Sequence, residues 1–323
     1  MIYLASTRRG SINHVLVKGE RAMFEAKSQT AVRSTLSNYL FILPAIAIFC
    51  LFYIYPFFKV FQLSLCRWNG VAFRPEAFVG LAHFKELIFN DPVKWWASMG
   101  QAGYISLWAL TFQNLLALLL ALACDRAIRA GTIYRVIFFL PPVLSEVVVG
   151  LVWWWIYDGN WGLLNHWLTT LGLGTLAHNW LSDGQMIPLT CIAIVHCWKG
   201  FGWAFIILLA GLQTIPRELY DAAKVDGADG WEIFWKVTLP LLIPVMVVVV
   251  ILTILGSMQG FVLILAMTGG GPYYFTEVPV TRILSSMKDG YFGFACAQAL
   301  IFGIVLLVVS LSHIRISRRL QRV

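Results

Sequence analysis

Six stretches of this chain, roughly 38–64, 102–124, 136–157, 187–212, 241–265 and 293–312, are long and mainly apolar. A helix of about 20 apolar residues crosses the hydrocarbon core of a bilayer, so each stretch is long enough to span. The runs are continuous rather than alternating. Backbone groups in lipid must be bonded within their own segment or by closure of a barrel, so continuous runs predict an all-α bundle of six transmembrane helices. Composition excludes a water-soluble domain: 59% of the 323 residues are hydrophobic and 12% are charged, about half the usual charged fraction.

The Lys and Arg residues set the expected orientation. Leaving aside Lys59 and Lys199, which fall within spans, 16 lie in residues 1–36, the 125–135 and 213–240 loops and the C-terminal end. The three opposite loops hold 6. Excess positive charge marks the cytoplasmic side, so both termini are expected there, and the net charge of +8 is topogenic rather than a footprint for nucleic acid. Residues 1–36, with Arg8, Arg9, Lys18, Arg21, Lys27 and Arg33, are polar and show little periodicity. They are expected to form a cytoplasmic tail, with no cleavable signal, before a membrane domain at 37–323. The six cysteines lie in or beside apolar runs without a CxxC pair and read as small buried hydrophobes. Trp153, Trp154, Trp155 and Tyr157 close the third span, as an interfacial belt or a surface for a sugar ring. Pro44, Pro56, Pro141 and Pro142 are expected to kink their helices.

The loop at 213–240 is too structured for a simple connector. Thr214 can cap, and Pro216 can open, a helix through about Val225. Gly227 and Gly230 then break it, and a second short helix, about Trp231 to Val237, is expected to stop before Pro240. Its acids, Glu218, Asp221, Asp226, Asp229 and Glu232, outnumber its three bases, against the positive-inside trend. With Tyr220, Phe234 and Trp235, this suits a surface that docks a partner protein.

Asp221-Ala222-Ala223, three residues, Gly227, nine residues, then Val237-x-Leu239-Pro240 resembles the EAA loop of permease subunits in binding-protein-dependent ABC importers. Asp221 stands where that pattern has Glu, and Val237 where it has Ile. The flank Gly211-Leu-Gln-Thr-Ile-Pro216, and also Phe78-Val-Gly-Leu-Ala-His-Phe84, Trp198-Lys199-Gly200 and Thr268-Gly-Gly-Gly-Pro272, are similar to the maltose-type, carbohydrate-importing branch. The resemblance implies a multi-pass protein of the bacterial cytoplasmic (inner) membrane. It further implies a second permease subunit forming a heterodimer, two ABC ATPase subunits that bind ATP and Mg, and a periplasmic or extracellular solute-binding protein. Asp221, Ala222, Ala223, Gly227, Val237, Leu239 and Pro240 would then form the ATPase-coupling element, where small alanines permit close approach and Gly227 the tight turn.

The chain holds no GxxxxGK[ST] motif, so ATP hydrolysis is assigned to a partner subunit and no cofactor is expected in this chain. The six histidines form no HExxH or other ligand spacing, so neither a metal nor a catalytic site is expected. His196-Cys197 reads as a buried, satisfied histidine rather than a nucleophile pair.

Ionisable residues within spans point to function, and the chain places Lys199 in the fourth and Glu146 in the third. By resemblance to the maltose-type sugar site, Lys199, Gly200 and Trp203 become substrate-pathway candidates, as do Gly256, Ser257 and Gly260 after the loop. Those glycines also suit close helix packing in lipid. Glu146 can pair with Lys199, line the pathway or reach the outer interface. If Glu146 neutralises Lys199, the cargo can be a neutral sugar. If the cargo does so, it is acidic, such as a uronate oligosaccharide of the alginate type or a sugar phosphate. A secondary carrier driven by an ion gradient would need a network of intramembrane acids and leaves the EAA-like loop unexplained; a membrane enzyme would need clustered His, Asp or Cys.

Overall fold

The computed structural model describes residues 41–71, 77–91, 94–125, 131–184 and 186–320. The tail expected at 1–36 lies outside them. Two units are distinguished, dividing after Gln62. The first holds most of α1 (Phe41–Ser64), whose side chains are exposed from Phe41 through Lys59, as suits a helix solvated by lipid. Cys50 is exposed there, against the expectation that the cysteines are buried; all six are free thiols.

In the second unit a short antiparallel ladder joins β1 (Cys66–Arg67) to β2 (Ala77–Phe78), pairing Cys66 with Phe78. The rest is helical. α2 (Ala82–Lys85), α3 (Trp95–Asp125), α4 (Gly131–Val143), α5 (Glu146–Ile156), α6 (Leu163–Thr170) and α7 (Met186–Gln213) come first. They are followed by α8 (Arg217–Val225), α9 (Gly230–Gln259), α10 (Val262–Met267), α11 (Pro279–Lys288) and α12 (Phe292–Leu320). Among the described residues, α1, α3, α7, α9 and α12 are each long and apolar enough to cross a bilayer, and the bent pair α4–α5 passes the same test only when taken together, as one broken span or a re-entrant loop.

Three spans differ from expectation, each for a local reason. The third is not one helix, because α4 and α5 meet at 91°. Pro141 and Pro142 lack the amides that would bond Ile137 O and Phe138 O, and the chain leaves the helix at Leu144–Ser145. The second begins at Trp95 rather than near 102; the Asp91 carboxylate accepts the Trp95 amide and the Ser98 hydroxyl donates to Trp95 O at 2.6 Å, so side chains close to this first turn bond its backbone. The fifth starts at Gly230 and runs through Pro240 to Gln259, where a stop had been expected. A π turn over Phe234–Thr238 precedes the proline; its wider register absorbs the carbonyl that Pro240 cannot bond. Beyond Gln259 the backbone is extended at Gly260, so α10 is a separate helix.

Between helices in lipid, association rests on close packing rather than on escape from water. α3 lies along α7, and Ala102, Ala109, Ala117 and Ala121 on α3, with Ala193 and Ala204 on α7, are fully buried, which lets backbones approach. α7 and α9 meet as closely at Gly211, where an added Cβ would stand 2.9 Å from the Val245 methyls. The Trp153–Trp155 run divides. Trp153 turns inward onto Trp198 and Tyr157, with ring centroids at 5.6 and 5.4 Å, whereas Trp154 and Trp155 are exposed.

The loop between α10 and α11 is tied from within. Thr276 Oγ1 meets Thr268 Oγ1 at 2.8 Å and donates to Gly271 O at 2.7 Å. Glu277 and Arg282 form an ion pair whose side chains are 6% and 9% exposed, and the guanidinium lies 4.5 Å over the Tyr274 ring. Burial pushes the Glu277 carboxyl above its ordinary range while Arg282 pulls it back.

Candidate functional site

Two regions collect the residues singled out by sequence. The first is α8, the turn after it and the start of α9. Thr214 does not cap: its hydroxyl donates back to Gly211 O at 2.7 Å, and α8 starts after Pro216 without a side-chain cap. The turn at Gly227 (φ +82°) is held by Gly227 N–H to Lys224 O at 3.1 Å and Ala228 N–H to Ala223 O at 2.9 Å. Asp229 then caps α9 by accepting the Glu232 amide at 2.7 Å. Asp221 and Ala222 are exposed and Ala223 is half-buried; Val237 and Leu239 face partly inward and Pro240 is exposed.

The aromatics of this loop sort differently from expectation. Tyr220 turns into the core against α3, α7 and α9, and Thr238 Oγ1 reaches its hydroxyl at 3.5 Å. Phe234 is half-buried and Trp235 is exposed. Trp231, not singled out by sequence, is the most exposed of the group at 68%, and its ring lies 5.5 Å from that of Trp235. Two bases are matched locally, Lys224 to Asp221 at 3.1 Å and Lys236 to Glu232 at 2.8 Å. Glu218 and Asp226 add further exposed negative charge. An exposed apolar edge bordered by acids is the composition of a docking surface.

The second region is a pair of adjoining voids, about 200 and 40 Å³, the larger of them open on one side, bordered by α3, the α4–α5 bend, α7 and α9, and the smaller also by α10. Lys199, Glu146, Gly256 and Ser257 border both; Gly200 and Trp203 border the larger and Gly260 the smaller. All seven pathway candidates are thus brought together.

The bend makes this possible. Glu146 is the first residue of α5, where its carboxylate sits in the favourable field of a helix N-terminus. Lys199 Nζ approaches it to 3.8 Å and donates to Pro142 O at 3.4 Å. The Lys199 side chain is 17% exposed and that of Glu146 45%. Gly202 packs directly against Phe138 O and stands, through an added Cβ, 2.8 Å from the Pro142 ring, so α7 closes onto the bend.

Gly256, in the last turn of α9, and Gly260, just past its end, differ. Gly256 faces open space, with nothing within 4 Å of an added Cβ, whereas Gly260 lies against its own helix backbone and the His196 ring. Ser257 Oγ is 2.6 Å from Ser106 Oγ and ties α9 to α3. Sequence reasoning missed Gln113, His196 and Thr253, which also border the voids. The adjacent carboxamides Gln113-Asn114 inside an apolar run were the readable signal for the first of these.

A protein-family model described as "Binding-protein-dependent transport system inner membrane component" matches residues 34–322. The probable ABC transporter permease protein YurN of Bacillus subtilis is 35% identical over 86% of this chain and 94% of its own length. The trehalose/maltose transport system permease protein MalF of Thermococcus litoralis is 30% identical over 90% of this chain and 97% of its own. Among solved structures, a bacterial ABC transporter involved in the import of the acidic polysaccharide alginate superposes with a TM-score of 0.79 at 22% identity, covering 91% of this chain and 99% of that one. With its apolar helices in place, the chain belongs to this inner-membrane transport family and is a multi-pass permease subunit of the cytoplasmic membrane.

Proposed function

We propose that this permease carries a sugar or oligosaccharide through the membrane by alternating access, with the paired voids as its share of the pathway and the 213–240 loop docked on an ATPase. The convergence of Lys199, Glu146, Trp203 and the small residues of α9 on the larger void supports this reading. A ring face, hydroxyls and an ion pair around a void are the furnishings of a polar-ligand site. At about 200 Å³ the larger void falls short of the 300–1,000 Å³ typical of ligand sites. A second permease subunit would complete the enclosure. Asp221, Ala222, Ala223 and Gly227 present the coupling surface, with Val237, Leu239 and Pro240 continuing it into α9. Two ATPase subunits would supply ATP and Mg chemistry, and a solute-binding protein would deliver cargo on the opposite face. The Lys and Arg distribution supports placing both termini, the 1–36 tail and the 213–240 loop on the cytoplasmic side. The name of the Thermococcus relative, a trehalose/maltose permease, supports the sugar class.

The cargo's charge turns on the Lys199–Glu146 pair. At 3.8 Å it is longer than the 2.7–2.9 Å of a charge-assisted hydrogen bond, and Glu146 is nearly half exposed. A cargo carboxylate can therefore displace it, which favours an acidic oligosaccharide as the second reading. The test is ATP-driven uptake by the complete importer in liposomes, offered maltotriose and a mannuronate trisaccharide, with and without Lys199→Gln. Hydrogen bonds to charged groups contribute about 1.5–3 kcal/mol, so an acidic cargo should lose about ten- to hundredfold in transport efficiency in the variant. Equal retention of both sugars assigns Lys199 a structural partnership with Glu146. Failure to move any carbohydrate in a wider panel overturns the sugar reading.

A further inference from the structure

The short helix α6 is turned the wrong way round for a helix in water. By i, i+4 spacing Leu163, Trp167 and Leu171, the residue just past its end, share one face. They are 53%, 63% and 70% exposed, and Trp161, in the turn before the helix, is 86% exposed. Asn165 lies on the opposite side and is buried. A surface helix of a water-soluble protein buries its apolar stripe and leaves its polar side chains outside; in α6 the carboxamide is inside and the large apolar groups are outside.

This orientation is fixed from within. Asn165 Nδ2 donates to Gly159 O and to His178 O, both at 2.9 Å, and its Oδ1 accepts from Trp180 Nε1 at 2.7 Å. Leu164 and Trp180 pack on the core built by α3, α5, α7 and α10. Rolling α6 to bury Leu163, Trp167 and Leu171 would break those bonds and strip Asn165 of its partners. The other polar groups of the segment are also engaged. Thr169 Oγ1 donates to Asn165 O and Thr170 Oγ1 to His166 O, both at 2.8 Å. The Asp158 carboxylate accepts the Asn160 and Trp161 amides at 3.0 and 2.7 Å. Residues 158–186 contain no Lys or Arg. The exposed face therefore calls for an apolar cover that need not supply hydrogen bonds.

α6 packs against α5, whose Val147, Val148, Leu151, Trp154 and Trp155 are exposed as suits a segment in lipid, so the apolar surface continues from one helix to the next. A protein interface carries about one hydrogen bond per 100–200 Å², whereas Thr169, Thr170 and Asp158 already have their partners. Tryptophan, by contrast, is enriched where membrane meets water. We propose that α6 is an interfacial anchor that lies in the plane of the membrane, with Leu163, Trp167 and Leu171 in the headgroup–acyl boundary of the outer leaflet; its partner is the lipid surface. The choice of leaflet rests on the topology read from Lys and Arg. Interfacial helices commonly use Lys and Arg to hold anionic headgroups. With neither residue in this segment, insertion rests on apolar burial and is independent of anionic lipid.

The complete importer in liposomes, otherwise free of cysteine, tests this with a nitroxide on Leu163→Cys, Trp167→Cys, Leu171→Cys or His166→Cys. Collisions with oxygen, which dissolves in lipid, are compared with those of a water-soluble nickel chelate. The labels at 163, 167 and 171 should favour oxygen and report a depth of about 5–10 Å, while the label at 166, on the flank of the helix, should favour the chelate. Adding phosphatidylglycerol to phosphatidylcholine liposomes should leave these depths unchanged. Because all the labels but the one at 166 read the same face, a variant that does not assemble leaves the others to decide. Chelate access at every position places the face in water. Shielding from both reagents places it under protein, either the second permease subunit or the solute-binding protein. Insertion only with phosphatidylglycerol makes the attraction electrostatic. Each of these results overturns the proposal. Reaction of unlabelled His166→Cys with an impermeant maleimide from the cytoplasmic side overturns the topology, and with it the outer leaflet, while the depths still decide the lipid contact.

Discussion

Gly227 separates backbone strain from crowding more cleanly than any other position in the 213–240 loop, for which a coupling role is proposed. Its φ of +82° is left-handed, yet an added Cβ would meet nothing within 4 Å. Substitution therefore acts through the turn's conformation alone. An alanine in the left-handed region costs about 1–2 kcal/mol, and asparagine less because its side chain bonds locally. Proline fixes φ near −65° and removes the amide that donates to Lys224 O at 3.1 Å, so it cannot form this turn. Since 1.4 kcal/mol is a factor of ten, Gly227→Ala should shift the turn away from its native conformation by about five- to thirtyfold relative to glycine. The assay is substrate-stimulated ATP hydrolysis by the assembled importer at equal membrane content of this chain. Coupling should fall in the order Gly, Asn, Ala, Pro, with Gly227→Pro uncoupled. Normal coupling in Gly227→Pro, or Gly227→Asn performing worse than Gly227→Ala, would refute the reasoning.

Two further outcomes follow from charge. With the native cysteines removed, Lys224→Cys should react with a membrane-impermeant maleimide only from the cytoplasmic side and His166→Cys only from outside; labelling of position 224 in intact cells contradicts the six-span topology. Arg282→Met strands the Glu277 carboxylate in a site where its side chain is 6% exposed, and breaking such a pair costs about 3–5 kcal/mol. Burial already raises this carboxyl. The folded variant therefore holds its proton more tightly than the unfolded chain, so its stability is greatest at low pH and declines as pH rises past about 4.3 and through the raised folded value. Thermal unfolding of the purified complex against pH checks this, with Arg282→Met/Glu277→Leu expected to recover most of the loss; an Arg282→Met complex as stable as wild type at pH 7 contradicts it.

Hydropathy made the spans legible because lipid demands long apolar runs, and the charged pair Lys199 and Glu146 stood out because such residues are rare at that depth. The bend at Leu144–Ser145 was signalled by Pro141 and Pro142, but its 91° angle depends on how α7 packs through Gly202. Pro240 misled for the opposite reason. A proline reads as a stop, and the π turn that carries α9 through it has no sequence signature. The uncharged members of the site were harder still. Gln113 and Thr253 carry no charge to mark them, and their place at the void follows from a helical phase that the π turn at Ala109–Gln113 resets.

The course of α9, continuous through its π turn and through Pro240 and Pro244, has a mechanical consequence. Between Trp231 in the coupling loop and Gly256 at the void lie about 25 residues, which at 1.5 Å each make a rod of about 38 Å. Helical backbone gives way to extended backbone at Gly260, past the void rather than before it. A tilt of about 10° imposed at the Trp231 end would sweep Gly256 sideways by about 7 Å along that lever arm. If the loop is pushed by a partner, the wall of the void is therefore expected to move with it, to the extent that the π turn and the two prolines do not flex.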